Sequence, residues 1–343
     1  MGKYQADAKC IIPCFFFFYL FLPQWPDMAQ ANQTTVSEFI LLGLTNDPKM
    51  ELFLFTFFLL IYIITLFGNI GIIFAVIFIP DLHNPMYVFL SNLSFSDLCY
   101  ATVVTPKMLY NMFSGRKSID FNSCAMQLFF FAGFASTEGY MLSAMAYDRY
   151  VAICHPLLYA VIMNKRACSF LLAGVYMTGF LISSIHTSCT VSLSFCGPNI
   201  INHFYCDIPP LMELSCSDTY ISKTIIFVVV FCLGFFSVAV TLASYCYIFF
   251  TIMNIKSSGG RRKTFSTCSS HLLCVSLFFG TVFFMYLRPA SKYSVSQDKV
   301  VSVFYTMVIP MMNPIIYSLR NAEVKNAVTS YINKLFLSNN LKF

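Results

Sequence analysis

Seven long apolar runs follow Pro48, and they constrain the fold more than any other feature of this sequence. Each run is long enough to cross the hydrocarbon core of a bilayer, which takes about 20 helical residues. The runs are continuously apolar rather than alternating, and lipid requires each backbone amide to be satisfied within its own segment, so helices are expected. They cover about residues 51–79, 86–106, 124–150, 168–189, 221–249, 267–287 and 300–319. We therefore predict an all-α membrane protein, a seven-transmembrane helix bundle embedded in lipid.

The composition excludes two broad classes. Hydrophobic residues make up 58% of the 343 residues and charged residues only 10%, too little polar surface for a soluble globule of ordinary composition. The 21 basic and 15 acidic residues are scattered, whereas a nucleic-acid surface needs clustered charge. We expect a membrane protein with no nucleic-acid partner.

The first 27 residues stand apart from the membrane segments. Lys3 and Lys9 precede an apolar stretch at 10–22 that is too short to span a bilayer but has the outline of a signal-peptide core. Met28 opens a polar stretch that reads equally well as an alternative start. Both interpretations stay open. The predicted organisation is an extension (1–27), an extracellular tail (28–50), a seven-transmembrane domain (51–320) and a cytoplasmic tail (321–343).

Seven crossings place the N terminus on the same side as the segments around 107–123, 190–220 and 288–299. Asn32 heads the glycosylation acceptor Asn-Gln-Thr, and four cysteines share that side, as expected for an oxidising extracellular face. They are Cys124, Cys196, Cys206 and Cys216. The opposite side has a weak excess of Lys and Arg. We predict an extracellular N terminus and a cytoplasmic C terminus.

Four polar residues interrupt the apolar runs: Asn69, Asp97, Glu138 and Asn313. An acid at the bilayer centre costs several kcal/mol, about 2.5 or more, unless it faces a polar interior. We predict that these four form a buried polar cluster. For Asn69, which follows Gly68, the alternative is a hydrogen bond between two closely packed helices. The two carboxylates imply a hydrated pocket or a bound cation between the helices, and the alternative is that one or both are protonated and hydrogen bonded.

Residues 145–156, MAYDRYVAICHP, set the acid-base pair Asp148-Arg149 at the end of the third run. Arg149 lies 11 residues beyond Glu138, roughly 16 Å further along a helix, which is the inner membrane surface. Taken alone, such an arginine could simply extend to lipid headgroups.

Other function classes lack their motifs. The sequence has no Gly-x-Ser-x-Gly, His-Glu-x-x-His or P-loop pattern and no metal-spaced His/Cys set, which disfavours an enzyme. No lysine lies between Val300 and Val324, where a retinal Schiff base would need one. A transporter also has membrane carboxylates, but inverted repeats with paired broken helices are not visible.

Five sequence blocks, in order along the chain, resemble odorant (olfactory) receptors, a branch of the rhodopsin-like G-protein-coupled receptors. They are Gly68-Asn69; the pair 85–87 and 93–97; MAYDRYVAICHP at 145–156; KTFSTCSSHL at 263–272; and PMMNPIIYSLRN at 310–321. The KTFSTCSSHL block distinguishes odorant receptors from other rhodopsin-like receptors. The resemblance covers about 28–334.

The resemblance implies a multi-pass plasma-membrane receptor that binds a small, mostly apolar, volatile odorant. It further implies activation of a stimulatory heterotrimeric G protein on the cytoplasmic face and a rise in cyclic AMP. It implies disulfides Cys124–Cys206 and Cys196–Cys216. No cofactor is implied except a possible sodium ion at Asp97 and Glu138.

The resemblance places the ligand pocket in the outer half of helices three, five, six and seven, with Ile208 as a lid. The residue pattern alone does not separate this set from ordinary core. Phe279 stands where the family commonly has tyrosine, so we expect a drier pocket with Ser136, Tyr286 and Thr306 as polar groups. The implied set is Phe131, Ala132, Ala135, Ser136, Ile208, Val229, Val230, Leu233, Phe279, Val282, Phe283, Tyr286 and Thr306.

The resemblance also implies a signalling set at the inner end. In it Asp148 holds Arg149 at rest, and Tyr245 and Tyr317 reach Arg149 in the active state. The full set is Asp148, Arg149, Tyr150, Tyr245, Lys263 and Tyr317.

Overall fold

The structure is a computed structural model, and it describes residues 36–255, 257–286, 295–319, 324–327 and 329–330. The extension at 1–27, the glycosylation acceptor Asn32 and most of the C-terminal tail therefore lie outside the described residues.

Within the described residues, seven long helices form the bundle. They are α1 (Pro48–Phe78), α2 (Pro85–Ser114), α3 (Phe121–Cys154), α4 (Lys165–Val191), α5 (Tyr220–Asn254), α6 (Ser258–Tyr286) and α7, which joins Val295–Val303, a π-helical turn Phe304–Val308 and Ile309–Leu319. Short helical turns cover Pro80–Leu82, Tyr159–Ile162 and Ile208–Glu213. The predicted all-α, seven-helix fold is confirmed.

Most of the helices extend beyond the apolar runs that predicted them. The run ending near 106 belongs to α2, which continues through Pro106 to Ser114 and ends at Gly115 in the left-handed conformation, φ 66°. Five helices of the described part are long and apolar enough to cross a membrane by length and composition: α1, α2, α4, α5 and the Gln297–Tyr317 part of α7. The apolar part of α6, Cys268–Phe284, is shorter.

Side chains just outside the helices determine where they begin. Asp47 accepts a hydrogen bond from the Lys49 amide at 3.0 Å, and Pro48 follows in the first turn of α1. Asn84 and Pro85 repeat this arrangement at α2. The breaks between helices are thus encoded locally, in the short polar connections between apolar runs.

Helix α3 lies at the centre and packs against α2, α4, α5 and α6. It approaches α4 closely because both contribute glycines. A Cβ at Gly179 would meet the Thr137 hydroxyl and lie 2.9 Å from its backbone nitrogen, and one at Gly133 would lie 2.8 Å from the Phe180 ring. This contact fixes the depth at which α4 residues face the bundle interior.

A three-stranded sheet, which the sequence did not predict, covers one end of the bundle. Strand β1 (Glu38–Leu41) lies between β2 (Ser118–Asp120), antiparallel to it, and β3 (Ile200–Ile201), parallel to it. The sheet gathers the N-terminal segment and the α2–α3 and α4–α5 connections at one end, the grouping that seven crossings require.

Candidate functional site

A cavity lies beneath this sheet, between α3, α4, α5, α6 and the α4–α5 connection. It encloses about 140 Å³. Its walls are mainly apolar and aromatic, and no described residue of α7 contributes to them. The lining residues are Leu128, Phe131, Ala132, Ala135, Ser136, Gly139, Tyr140, Ile182, His186, Asp207, Ile208, Val229, Val230, Gly234, Ser237, Phe278, Phe279 and Val282.

Most of the pocket residues implied by the resemblance line this one cavity. They are Phe131, Ala132, Ala135, Ser136, Ile208, Val229, Val230, Phe279 and Val282. The side chains of Leu233 and Tyr286 lie outside the described residues. Whether the cavity binds a ligand stays a prediction.

Two residues expected in the pocket do not line it. Phe283 is 38% exposed on the outside of the bundle. Thr306 is fully buried in the π-helical turn of α7, and its hydroxyl donates to the Ser302 carbonyl at 2.6 Å. The expected contribution of α7 is thus replaced, among the described residues, by α4.

The sequence interpretation missed the α4 wall and several polar groups. Ile182 and His186 come from α4, and Tyr140 lies one turn after Ser136 on the same face of α3. A histidine inside an apolar run was a visible signal. Ile182 and Tyr140 gave no such signal, because packing sets the rotation of each helix about its own axis.

Two of the polar lining residues are already hydrogen bonded. Asp207 accepts from the Tyr205 hydroxyl and the Ile208 amide, each at 2.8 Å, and from the Tyr305 hydroxyl at 3.3 Å. Burial raises the pKa of the Asp207 carboxyl. Ser237 donates to the Gly139 carbonyl at 3.1 Å.

The disulfides implied by the resemblance are both present. Cys124 at the start of α3 is joined to Cys206, and Cys196 to Cys216. The first bond holds the segment containing Asp207 and Ile208 against α3, directly over the cavity.

Deeper in the bundle, three of the four predicted polar residues meet. The Asn313 side-chain nitrogen donates to Asp97 Oδ2 and to Glu138 Oε1, each at 3.0 Å. Asp97 Oδ1 and Glu138 Oε2 are buried without a hydrogen-bond partner. Asn69 lies apart from this trio and donates to the carbonyl oxygens of Thr65 and Pro310.

At the opposite end from the sheet, the expected ion pair between Asp148 and Arg149 is absent. Asp148 instead accepts a hydrogen bond from the Tyr159 hydroxyl at 2.8 Å. Arg149 makes no ion pair or hydrogen bond with any residue in the described part of the chain. The short helix Tyr159–Ile162, which supplies the competing hydroxyl, was not predicted.

Among the other signalling residues, Tyr245 and Tyr317 lie near Arg149. Tyr245 of α5 is hydrogen bonded to His271 Nδ1 of α6 at 2.6 Å. Tyr150 bonds His155 at 3.1 Å, and Tyr317 is buried in the core. The Lys263 side chain lies outside the described residues.

Comparison with known proteins identifies relatives over nearly the whole chain. The family model described as "Olfactory receptor" matches residues 58–335. Olfactory receptor 5B21 of Mus musculus is 54% identical over 305 residues, 89% of this chain and 96% of the relative. Olfactory receptor 5AR1 of Mus musculus is 51% identical, covering 90% and 99%, and human Olfactory receptor 5B21 is 54% identical, covering 89% and 98%.

Among solved structures, squid rhodopsin matches with a TM-score of 0.67 over 84% of this chain and 87% of that chain. At 18% identity this likeness shows the fold alone. The matched family consists of receptors rather than enzymes, found as multi-pass proteins in the plasma membrane. The chain belongs to the olfactory receptor family of seven-helix G-protein-coupled receptors.

Proposed function

We propose that this receptor binds a small, mostly apolar odorant in the cavity between α3, α4, α5 and α6, and that binding activates a stimulatory heterotrimeric G protein and raises cyclic AMP. The observation that carries the proposal is the cavity itself, which is lined mainly by apolar and aromatic side chains and by a few polar ones. A volatile ligand offers few hydrogen bonds, and such a wall is what its recognition requires.

In this proposal the sheet and both disulfides face the cell exterior, and Arg149 faces the cytoplasm. Residues 28–50 then form an extracellular tail with a glycan at Asn32, and 321–343 form a cytoplasmic tail. The gathering of both disulfides at the cavity end supports this orientation, because disulfides persist in oxidising compartments.

Transmission requires the ligand to favour one helix arrangement over another. Residues at the cavity floor connect α3 to α5 and to α6. Ser237 of α5 bonds α3 at Gly139, and a Cβ on Gly139 would lie 3.0 Å from Phe278 of α6. A ligand that displaces Phe278 therefore shifts α6 relative to α3.

At the cytoplasmic end, the Tyr245–His271 hydrogen bond joins α5 to α6 beside Arg149. Outward movement of α6 breaks this bond and frees the Tyr245 hydroxyl to reach Arg149. Arg149, Tyr150, Lys263 and Tyr317 together then contact the G protein.

A sodium ion is part of the proposal for the resting receptor. The unpartnered oxygens of Asp97 and Glu138 and the adjoining Asn313 are hard oxygen donors, which fit such an ion. Bound there, the ion would supply the positive charge that two neighbouring carboxylates lack.

The test is a panel of odorants applied to cells that carry the receptor and a cyclic-AMP reporter. At least one odorant should raise cyclic AMP with the wild type. Arg149→Ala should abolish that rise while surface antibody staining persists, and Arg166→Ala, at the cytoplasmic start of α4, should respond normally. A full response from Arg149→Ala would contradict the proposal.

A further inference from the structure

We propose that His186 is the polar anchor of the cavity and that its ligand is a compact, neutral alcohol or phenol. This rests on the proposed function, in which the cavity is the odorant site.

His186 lines the cavity from α4 with 5% of its surface exposed. Its ring nitrogen Nε2 is buried and has no hydrogen-bond partner among the described residues. The Thr190 hydroxyl donates to the backbone carbonyl of His186, so this hydrogen bond leaves the imidazole ring unpaired. A buried polar nitrogen without a partner is costly, and a ligand that supplies the partner recovers that cost.

Two hydroxyls on α3 share this property. Ser136 and Tyr140 line the cavity one helical turn apart, and neither hydroxyl is hydrogen bonded to any residue in the described part of the chain. The polar groups of Asp207 and Ser237, by contrast, are occupied by protein partners. The groups available to a ligand are therefore His186, Ser136 and Tyr140.

The charge of the wall selects a neutral ligand. No lysine or arginine is among the described lining residues, and Asp207 is an acid, so a ligand carboxylate would lack a counter-charge. An ammonium would compete for Asp207, whose carboxylate already accepts three hydrogen bonds and is 3% exposed.

Among neutral ligands, one that carries a hydroxyl group best matches His186, Ser136 and Tyr140. It donates and accepts, so it pairs with either tautomer of His186 and with Ser136, whereas an ether oxygen only accepts. A cavity of about 140 Å³ is close in size to an apolar protein cavity that holds benzene, which favours a compact ligand of roughly six to ten non-hydrogen atoms. Phe131, Phe278 and Phe279 offer ring surfaces to an aromatic or compact aliphatic body.

The experiment measures ligand-dependent thermal unfolding of the purified full-length receptor with four probes that share one skeleton: p-cresol, 4-methylanisole, p-xylene and p-toluic acid. With the wild type, p-cresol should bind about tenfold more tightly than 4-methylanisole, the value of one buried hydrogen bond. p-Toluic acid should not stabilise the receptor. Equal binding of p-cresol and p-xylene would overturn the proposal.

The variants identify the anchor. His186→Leu should lose the tenfold preference for p-cresol over 4-methylanisole, while binding of p-xylene is unchanged. His186→Gln, which keeps a hydrogen-bonding group, should retain most of it and covers the case in which the leucine variant fails to fold. Ser184→Ala, on the same helix but outside the cavity wall, should match the wild type. A preserved preference in His186→Leu would overturn the assignment.

Two further outcomes separate this inference from the proposed function. If the wild type prefers p-cresol about tenfold over 4-methylanisole and His186→Leu does not, and no probe or odorant raises cyclic AMP in cells, the anchor stands and the coupling to a stimulatory G protein fails. If none of the four probes shifts unfolding, the cavity does not bind compact ligands, and this inference is wrong, while an odorant that raises cyclic AMP would still support the receptor function.

Discussion

Two carboxylate oxygens, Asp97 Oδ1 and Glu138 Oε2, lie inside the bundle without a hydrogen bond. The other oxygen of each acid accepts a hydrogen bond from the same Asn313 side-chain nitrogen. Two neighbouring negative charges in a low-dielectric interior cannot both persist alone, so the pair requires a proton or a cation.

Sodium should therefore stabilise the folded receptor. We expect the melting temperature to rise when sodium chloride replaces choline chloride at equal ionic strength, by the equivalent of about 1–3 kcal/mol, because the ion binds the folded trio and not the unfolded chain. Glu138→Gln should abolish the rise. Glu51→Gln, which alters a surface ion pair with Lys117, should retain it. A sodium effect unchanged in Glu138→Gln would contradict the site.

His203, in the α4–α5 connection, makes stability depend on pH. Burial and the nearby Lys299 lower its pKa to about 3, compared with about 6.5 in an unfolded chain. Protonation of His203 therefore favours the unfolded chain. The free energy of unfolding decreases as pH falls from about 6.5 towards 3, and this histidine has no effect on it above pH 6.5. At pH 5 the loss is about 2 kcal/mol.

Thermal unfolding across pH 5–8 checks this. His203→Phe, which can stack in the same aromatic surroundings, should lose less stability on acidification than the wild type. His83→Gln, near the other end of the bundle, should follow the wild type. Parallel pH curves for His203→Phe and the wild type would exclude this histidine as the cause.

At the scale of elements, the contact between α3 and α4 determines which α4 residues reach the cavity. Gly179 and Gly133 allow the close approach, and Ser183 donates to the Phe129 carbonyl across the same interface. Small residues at a helix interface let backbones pack closely, which lipid-embedded helices use in place of the hydrophobic effect. The placement of His186 depends on this contact.

Gly179→Ala should destabilise the receptor, because the new methyl group would press on the Thr137 backbone, which cannot move aside. We expect a loss of about 1–3 kcal/mol in thermal unfolding, with weaker ligand binding. Gly174→Ala provides the matched control on the same helix. Nothing lies within 4 Å of its Cβ position, so alanine there should be neutral or slightly stabilising. Equal stability of the two variants would show that the α3–α4 contact tolerates expansion.

At the scale of the whole molecule, the sheet and the Cys124–Cys206 bond close one end of the bundle. They bring together segments distant in sequence: Leu41 and Ile201 pair in the sheet, and the disulfide spans 82 residues. Closing a loop of that length in the unfolded chain is worth about 4.5 kcal/mol in the chain-entropy description.

Cys124→Ser should therefore prevent delivery of the receptor to the cell surface, because the closing segment loses its attachment to α3. Surface labelling relative to total protein measures this. Cys246→Ser changes a free, exposed cysteine of α5 and should be delivered normally. Normal delivery of Cys124→Ser would mean that the disulfide is dispensable for folding.

Much of this architecture was readable from the sequence, because membrane helices are determined locally. The seven spans follow from continuous apolar runs, and their ends follow from capping residues such as Asp47 and Asn84. The polar trio was also predicted in part. Asp97, Glu138 and Asn313 are costly in lipid, so they had to face one another, and they do.

The rest depended on contacts between distant segments. Asn69 lies outside the polar trio, because the rotation of α1 is set by its packing against α7. Its side chain donates to the Pro310 carbonyl, the hydrogen bond between helices that was the other prediction for this residue. Asp148 bonds Tyr159 in place of Arg149 because a short connecting helix brings that hydroxyl within reach.

The sequence by itself determined the seven helices, the acids that must be buried together and, by resemblance, the family and both disulfides. Only the tertiary structure decided that, in the described part of the chain, α4 and not α7 forms the cavity wall and that His186 faces the cavity with an unpaired nitrogen. The physical reason is that apolar periodicity specifies a helix and its buried face. It leaves open which neighbour that face meets, and close contacts such as Gly179 against Thr137 settle this.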